Sequence, residues 1–234
     1  MRFVSRFEHN GLLYETISSS EAILIGTANR FLTKLTCPSH VGNLAVTQIA
    51  RDAFRDCELL ELLYLSDKIN KIQSKAFYNC KKLKQIIQVP DARAIVICDN
   101  VFENCVGLEK VYMNASSIGI CAFKDCVSLS DIFISHHCKY IATHAFLNCS
   151  KLTGVKFEGK KGPVAKLILD DDAFENCALR YIYSARDMSL RTVQLRKIPS
   201  VEYLFPKTTS IMCTASSNMN EFAFHGYTVM EWKT

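Results

Sequence analysis

The chain has 234 residues, of which 49% are hydrophobic and 22% are charged, a composition typical of a folded protein rather than a disordered one. Its formal net charge of +5 is too mild to predict nucleic-acid binding. No window approaches the roughly 18 consecutive apolar residues of a membrane-spanning helix.

A five-residue motif recurs six times along the chain. Its copies are AFRDC at 53–57, AFYNC at 76–80, VFENC at 101–105, AFKDC at 122–126, AFLNC at 145–149 and AFENC at 173–177. Successive copies begin 23, 25, 21, 23 and 28 residues apart, and periods of about 20–29 residues are those of leucine-rich repeats. One such unit cannot bury its apolar face alone, so the pattern predicts a solenoid of stacked repeats.

Apolar residues keep fixed positions around each motif. A leucine follows each motif cysteine: Leu60, Leu83, Leu108, Leu129, Leu152 and Leu179. An aliphatic residue that we predict to point inward comes three positions later: Leu63, Ile86, Val111, Ile132, Val155 and Ile182. A third column lies five residues before each motif phenylalanine: Ile49, Ile72, Ile97, Ile118, Ile141 and Leu169. Alternation after the cysteine predicts a short strand with one buried face, although IIQVP allows either Ile86 or Ile87 to point inward.

The motif itself is compact, and we expect it to form a helical or 3₁₀ turn. Its phenylalanine would fill the interior, and its Asn or Asp would satisfy backbone groups where the chain bends. The six motif cysteines are interpreted as a column of small buried residues rather than as a metal or redox ladder, because their spacing follows the repeat.

Seven residues after each motif cysteine, the strand side chain should face outward. In the sixth repeat, one residue is missing and the position is six after the cysteine. We predict that this row binds a partner: Tyr64, Ile87, Tyr112, Phe133, Lys156 and Tyr183. A parallel row lies two residues earlier: Leu62, Gln85, Lys110, Asp131, Gly154 and Tyr181. Exposed aromatic stripes mark interaction sites, but aromatics also simply favour strands. A register error of one residue would turn the row into core.

One group of residues could bind a metal: His136, His137, Cys138 and His144. Adjacent strand residues point to opposite faces, so His136 and His137 should diverge. Cys138 falls at the position that Val46 and Ile69 occupy in earlier repeats, where we expect the side chain to point inward. We therefore expect no metal and no cofactor. Hydrolase, P-loop and dinucleotide-binding motifs are missing as well, which predicts that the chain is not an enzyme.

The AF-x-[ND]-C-x-x-L pattern, with a preceding V-x-x-I, resembles the BspA-like leucine-rich repeats of bacterial surface proteins and large protist families. The resemblance covers about residues 7–185, because the segment before the first motif looks like the N-terminal part of that family. It implies a leucine-rich-repeat solenoid with short parallel strands on the concave face, short helical or 3₁₀ turns on the convex face, and a β cap at the N-terminus. It also implies protein–protein interaction through the concave sheet, as an adhesin or scaffold.

We predict a single domain over 1–234, with an N-terminal cap at 1–45, six clear repeats at 46–185, and degenerate repeats with a C-terminal cap at 186–234. In the last part, AFHGY at 223–227 resembles another copy and Trp232 would plug the core. A structural segment of a larger surface protein is the alternative. The expected partner is a protein, with the oligomeric state open.

Two features of the sequence bear on the cellular compartment of the protein. Its first ten residues, MRFVSRFEHN, lack the apolar run of a secretory signal peptide. The cysteine count of 11 is odd, which is unusual for a secreted disulfide framework. Both features favour the cytoplasm, whereas a removed leader would place the protein at the cell surface.

Overall fold

The computed structural model describes residues 5–89, 91–157, 167–170 and 172–179, and, after them, the strands at 181–184, 188–191, 202–204, 210–213 and 228–231. Within these residues the fold consists of strands and turns, without α- or 3₁₀-helices. The N-terminal cap contains β1 (Arg6–His9), β2 (Leu12–Thr16), β3 (Glu21–Thr27), β4 (Lys34–Thr36) and β5 (His40–Val41).

Each repeat contributes two short strands, one to each of two faces that we call front and back. The back strands are β6 (Leu44–Ile49), β8 (Lys71–Ile72), β10 (Ile95–Ile97), β12 (Ala115–Ile118), β14 (Tyr140–Ile141), β16 (Leu167–Leu169), β18 (Met188–Arg191), β20 (Ser210–Cys213) and β21 (Thr228–Glu231). The front strands are β7 (Leu62–Leu65), β9 (Gln85–Gln88), β11 (Lys110–Tyr112), β13 (Asp131–Ile134), β15 (Gly154–Phe157), β17 (Tyr181–Ser184) and β19 (Glu202–Leu204).

The back strands join the cap in one sheet of 13 strands among the described residues, in the order β1-β2-β3-β6-β8-β10-β12-β14-β16-β18-β20-β21, with β5 on β6. Strands β1, β2 and β3 pair antiparallel, and every pairing from β3–β6 onward along this order is parallel. The described front strands, joined by β4 of the cap, form two parallel sheets of four, β4-β7-β9-β11 and β13-β15-β17-β19. This architecture is a leucine-rich-repeat solenoid with a β cap, as predicted.

The prediction of helical or 3₁₀ turns on the convex side was wrong. Two columns of residues with positive φ flank the first three residues of each motif. The first column has φ of 54–62° and contains Asp52, Lys75, Asn100, Cys121, His144 and Asp172. The second has φ of 57–62° and contains Asp56, Asn79, Asn104, Asp125, Asn148 and Asn176. Left-handed residues interrupt a right-handed helix, and the three residues between the columns are too few for one helical turn.

The motif turns form a third hydrogen-bonded side of the coil. The backbone N–H of Phe77 donates to the carbonyl of Val101, with N and O 3.0 Å apart, and that of Asn79 donates to Glu103 at 2.9 Å. Side chains repeat this pattern, since Asn104 Nδ2 donates to Asn79 Oδ1 at 2.6 Å. Successive turns are therefore joined by both backbone and side-chain hydrogen bonds.

The core follows the three columns that the sequence predicted. Their members with described side chains are all buried, and Ile86, not Ile87, is the inward residue of its strand. The motif phenylalanines stack in one line, with successive ring centroids 5.0–5.4 Å apart: Phe54, Phe77, Phe102, Phe123, Phe146 and Phe174. Offset stacking of this kind adds to the apolar burial of each ring.

The motif cysteines form a column beside the phenylalanines. Cys80, Cys105, Cys126 and Cys149 are fully buried, as interpreted from the sequence, whereas Cys57 and Cys177 are partly exposed. The ten cysteines with described side chains are all free thiols.

The last part of the chain continues both faces. Strands β18, β20 and β21 extend the back sheet, and β19 extends the second front sheet. The AFHGY segment and Trp232 lie outside the described residues, so their roles and the predicted boundaries at 45 and 185 stay predictions. Among the described residues, no helix has the length and apolar character needed to cross a membrane.

Candidate docking surface on the front sheets

The six residues predicted to bind a partner occupy one row across the front strands. Tyr64 pairs with Ile87 and Ile87 with Tyr112 in the first front sheet. Phe133 pairs with Lys156 and Lys156 with Tyr183 in the second. The row is therefore in register within each of the two sheets, as the repeat predicted.

The row faces outward where its side chains are described. Tyr112 is 56% exposed and Phe133 is 53% exposed, Lys156 is also exposed, and Tyr64 and Ile87 are half-buried. The side chain of Tyr183 lies outside the described residues. The outward orientation is confirmed for these five, and their role in binding stays a prediction.

The front face is interrupted between β11 and β13, which carry Tyr112 and Phe133 and belong to different sheets. The interruption coincides with unequal corner lengths. In this repeat only Met113 and Asn114 separate the front strand from the back strand β12, whereas 66–70, 89–94 and 135–139 form the corners of neighbouring repeats. This is also the repeat with the shortest motif spacing, 21 residues. Described residues of the longer corners on either side, together with Met113 and Asn114, line a hollow at this place.

This hollow, which we call the Tyr112–Phe133 cleft, has a volume of about 690 Å³. It is lined by Gln88, Val89, Asp91, Ala92, Val111, Tyr112, Met113, Asn114, Phe133, His136 and His137. A smaller hollow of about 270 Å³ also involves Val111, Tyr112 and Phe133, together with Lys110, Asp131 and Lys156. The two exposed aromatic rings therefore border both hollows.

Hydrogen bonds hold one wall of the cleft in place. Gln88 is buried, and its Nε2 donates to the carbonyl of Arg93 at 2.8 Å. Its Oε1 accepts from the backbone N–H of Asn114 at 2.8 Å, and Asn114 Nδ2 donates to the carbonyl of Ala92 at 3.2 Å. The contact between Gln88 and Asn114 was not predicted from the sequence. The feature that could have indicated it is the polar Gln88, because the equivalent strand position holds the aliphatic residues Leu65 and Ile134 in two other repeats.

The histidines of the suggested metal cluster lie in two different places. The rings of His136 and His137 have centroids 4.0 Å apart, so the expectation that they diverge was wrong; both residues lie in a turn rather than in a strand. Cys138 is buried, as predicted. His144 instead lies beside Glu175, with Nε2 and Oε2 3.3 Å apart. Within the described residues, the metal-ligating side chains that come together are His144, Asp172 and Glu175.

Charged groups surround the aromatic centre of the front face. Lys34 Nζ lies 4.7 Å from the centroid of the Tyr64 ring, a cation–π contact. Lys110 and Asp131, the central members of the second outward row, are exposed and carry opposite charges. A partly apolar centre with a charged rim is the usual anatomy of a protein–protein interface.

Solved structures of leucine-rich-repeat proteins share this fold. A Treponema pallidum leucine-rich-repeat protein is 24% identical, with a TM-score of 0.67 over 86% of this chain and 98% of its own length. A leucine-rich cell surface protein from Faecalibacterium prausnitzii is 18% identical, with a TM-score of 0.62 over 91% of this chain; the chain covers 55% of that protein. A Bacteroides ovatus leucine-rich-repeat protein is 19% identical, with a TM-score of 0.56 over 96% of this chain and 67% of its own length.

The family follows from the repeats themselves. A comparison with curated proteins finds no similar sequence. The model of the BspA-type leucine-rich-repeat region matches six copies over residues 47–180. The chain therefore belongs to the BspA-type leucine-rich-repeat family.

Proposed function

We propose that this chain is a protein-interaction module, not an enzyme, and that its partner docks on the front sheets at the Tyr112–Phe133 cleft. The exposure of these two aromatic rings, each more than half accessible on neighbouring strands, carries the proposal. Folded proteins rarely leave large aromatic side chains together at the surface unless they contact something.

The form of the cleft supports a protein partner. At about 690 Å³ it could accept one or two anchoring side chains of a partner, and sites of this size are typical of specific pockets. The row on either side would add flatter contacts, and the opposite charges of Lys110 and Asp131 would orient the partner. An adhesin or a scaffold would both use such a surface.

A second candidate function is that of a structural segment within a larger surface protein. The observation that favours it is the similarity to the Faecalibacterium prausnitzii cell surface protein, of which this chain covers 55%. The Treponema pallidum leucine-rich-repeat protein, of which it covers 98%, is instead similar in extent to the array itself.

The test compares two double variants on opposite faces. The first carries Tyr112→Ser and Phe133→Ser. The control carries Val96→Ser and Ile168→Ser, which are similarly exposed residues of the back sheet, at 38% and 40%. Circular dichroism first establishes that each variant folds. The variants and the wild type are then immobilised, and the proteins that each retains from a lysate of the native source are quantified.

We expect the front variant to fold and to lose a partner that the wild type and the back variant retain. A partner lost only with the back variant would contradict the proposal. Unfolding of the front variant would show that the row belongs to the core, which would also contradict it.

A further inference from the structure

Three potential metal ligands meet on the motif turns of the fifth and sixth repeats. His144 and Asp172 occupy the same position in consecutive turns, directly before the motif alanine, and both have positive φ. Glu175 follows Asp172 by three residues within the same turn. The ligand atoms of the three side chains all lie within 4.8 Å of one another, and His144 Nε2 is 3.3 Å from Glu175 Oε2.

We propose that His144, Asp172 and Glu175 bind a divalent transition-metal ion, for which Zn²⁺ is the best fit. Zinc accepts one imidazole nitrogen and carboxylate oxygens at about 2.0–2.2 Å, commonly with water in the fourth position. Tetrahedral bonds of that length place ligand atoms about 3.4 Å apart, close to the separation of the His144 and Glu175 atoms. The imidazole makes a transition metal a better match than Ca²⁺ or Mg²⁺, which prefer oxygen ligands.

Small side-chain rotations would complete the site. All three residues are partly exposed, so their side chains can turn without repacking the core. Their backbones are fixed by the ladder of turns, in which the N–H of Asn148 donates to the carbonyl of Glu175 at 2.9 Å. The ligands are thus carried on a rigid frame, as a specific site requires.

The third repeat shows how a cation already serves this position of the turn. Glu103 corresponds to Glu175, and its Oε1 contacts Lys124 Nζ at 3.1 Å in the next turn, while its Oε2 accepts from Asn100 Nδ2 at 2.6 Å. A positive charge is thus accommodated beside this position of the turn, as a metal ion at His144, Asp172 and Glu175 would require.

Of all consecutive motif turns, the two that the site would join have the longest stretch of chain between them. The motif starts of the fifth and sixth repeats are separated by 28 residues, the longest spacing of the array. Closing a longer loop costs more chain entropy, and a metal bridging its two ends returns part of that cost as stability of the folded form. The ion would therefore act as a clip that fixes the sixth repeat on the fifth.

The test is a titration of the tag-free chain with Zn²⁺ alone, followed by calorimetry and by metal analysis after equilibrium dialysis. The variants are His144→Asn, Asp172→Asn and Glu175→Gln. Asparagine tolerates positive φ, and Asn100 already occupies the same position in the third repeat, so these variants should fold. We expect the wild type to bind one Zn²⁺ and to melt at a higher temperature with it. Each variant should lose at least the ~10–100-fold in affinity that follows even from changing outer-shell partners of a metal.

Two controls separate this site from others on the chain. Glu103→Gln changes the matching residue of the third repeat, and His136→Gln with His137→Gln removes the other histidine pair. Both should bind Zn²⁺ like the wild type. The proposal is overturned if the wild type binds no stoichiometric Zn²⁺, if binding survives in all three ligand variants, or if it is lost in the histidine-pair control. A parallel titration with Ca²⁺ tests the choice of metal, and binding of Ca²⁺ but not of Zn²⁺ would overturn the assignment to a transition metal.

Discussion

The thiol of Cys105 donates a hydrogen bond to the backbone carbonyl of Phe77 in the preceding repeat, with Sγ and O 3.2 Å apart. The same contact recurs at 3.1–3.2 Å for the other motif pairs: Cys80 with Phe54, Cys126 with Phe102, Cys149 with Phe123 and Cys177 with Phe146. Cysteine suits this position because it is small and apolar and still carries a weak donor. The repeated cysteine thus links each motif turn to the preceding one through a hydrogen bond.

Replacing one buried motif cysteine should measurably lower the free energy of unfolding of the solenoid. Cys105→Ala removes a buried sulfur and its hydrogen bond, so we expect the free energy of unfolding to fall by about 1–2 kcal/mol, as measured by urea denaturation. The matched control is Cys57→Ala, at the partly exposed first position of the column, where the loss should stay within about 0.5 kcal/mol. Equal losses at the two positions would mean that the buried contact contributes little.

Asn104 contributes to stability through its backbone conformation and through its side-chain hydrogen bond, and two substitutions can separate these contributions. Asn104 has a φ of 62° and donates to Asn79 Oδ1. Asn104→Gly removes the hydrogen bond but tolerates the left-handed backbone, and should cost about 1 kcal/mol. Asn104→Ala also incurs the left-handed penalty of about 1 kcal/mol or more, and should cost about 2 kcal/mol. Chemical denaturation of both variants provides the measurement, and an alanine variant no weaker than the glycine variant would exclude backbone conformation as a cause.

The free energy of unfolding should decrease at high pH because burial disfavours the ionised forms of Cys37 and Tyr14. Burial raises the pKa of Cys37 from its ordinary 9.0 to about 12, and burial, with a smaller contribution from Cys37, raises the pKa of Tyr14 to about 12. The folded state holds these protons more tightly than the unfolded state, so the stability is fully present below pH 9 and decreases as the pH rises toward 12. For Cys37 alone the loss should reach about 2–3 kcal/mol by pH 11.

The corresponding measurement is the free energy of unfolding between pH 7 and pH 11 for the wild type and for Cys37→Ala. The variant should be less stable at pH 7 and should lose less stability with rising pH. Parallel pH profiles for the two proteins would show that Cys37 does not ionise on unfolding.

The wall of the cleft should loosen when its internal hydrogen bonds are removed. Gln88→Leu restores the aliphatic residue found at this position in other repeats but deprives the Asn114 N–H of its acceptor. We expect faster hydrogen exchange of the Asn114 amide with little change in overall stability, because local opening and global unfolding are separate processes. Gln85→Leu, at a half-buried position of the same strand, is the control. Unchanged exchange at Asn114 would show that Gln88 does not restrain the wall.

The repeat columns could be predicted because each is an apolar residue at a constant offset from a conserved-looking motif within one chain. Ile86 and Ile87 could not be distinguished on that basis, since both are apolar, and only burial decides for Ile86. The back sheet was missed because strands such as Lys71–Ile72 are too short to show an alternation. The convex turns were mistaken for helices, although asparagine and aspartate at two fixed positions favour the left-handed backbone.

The cleft and the metal site depend on relations between repeats that are distant in sequence. The cleft arises where a two-residue corner at 113–114 lies between longer ones, and the short 21-residue spacing was its only trace. His144 was considered with its sequence neighbours His136 and His137. The structure places it instead beside Glu175, one repeat later in the chain.

The most direct test of docking on the front face is photo-crosslinking from the aromatic pair. A photoreactive phenylalanine derivative replaces Tyr112 or Phe133 in one set of proteins, and Val96 on the back sheet in the control. Irradiation in cells of the native source is followed by identification of the joined proteins. We expect the same crosslinked partner from positions 112 and 133 and none of it from position 96. A partner joined equally from all three positions, or only from position 96, would contradict docking at the Tyr112–Phe133 cleft.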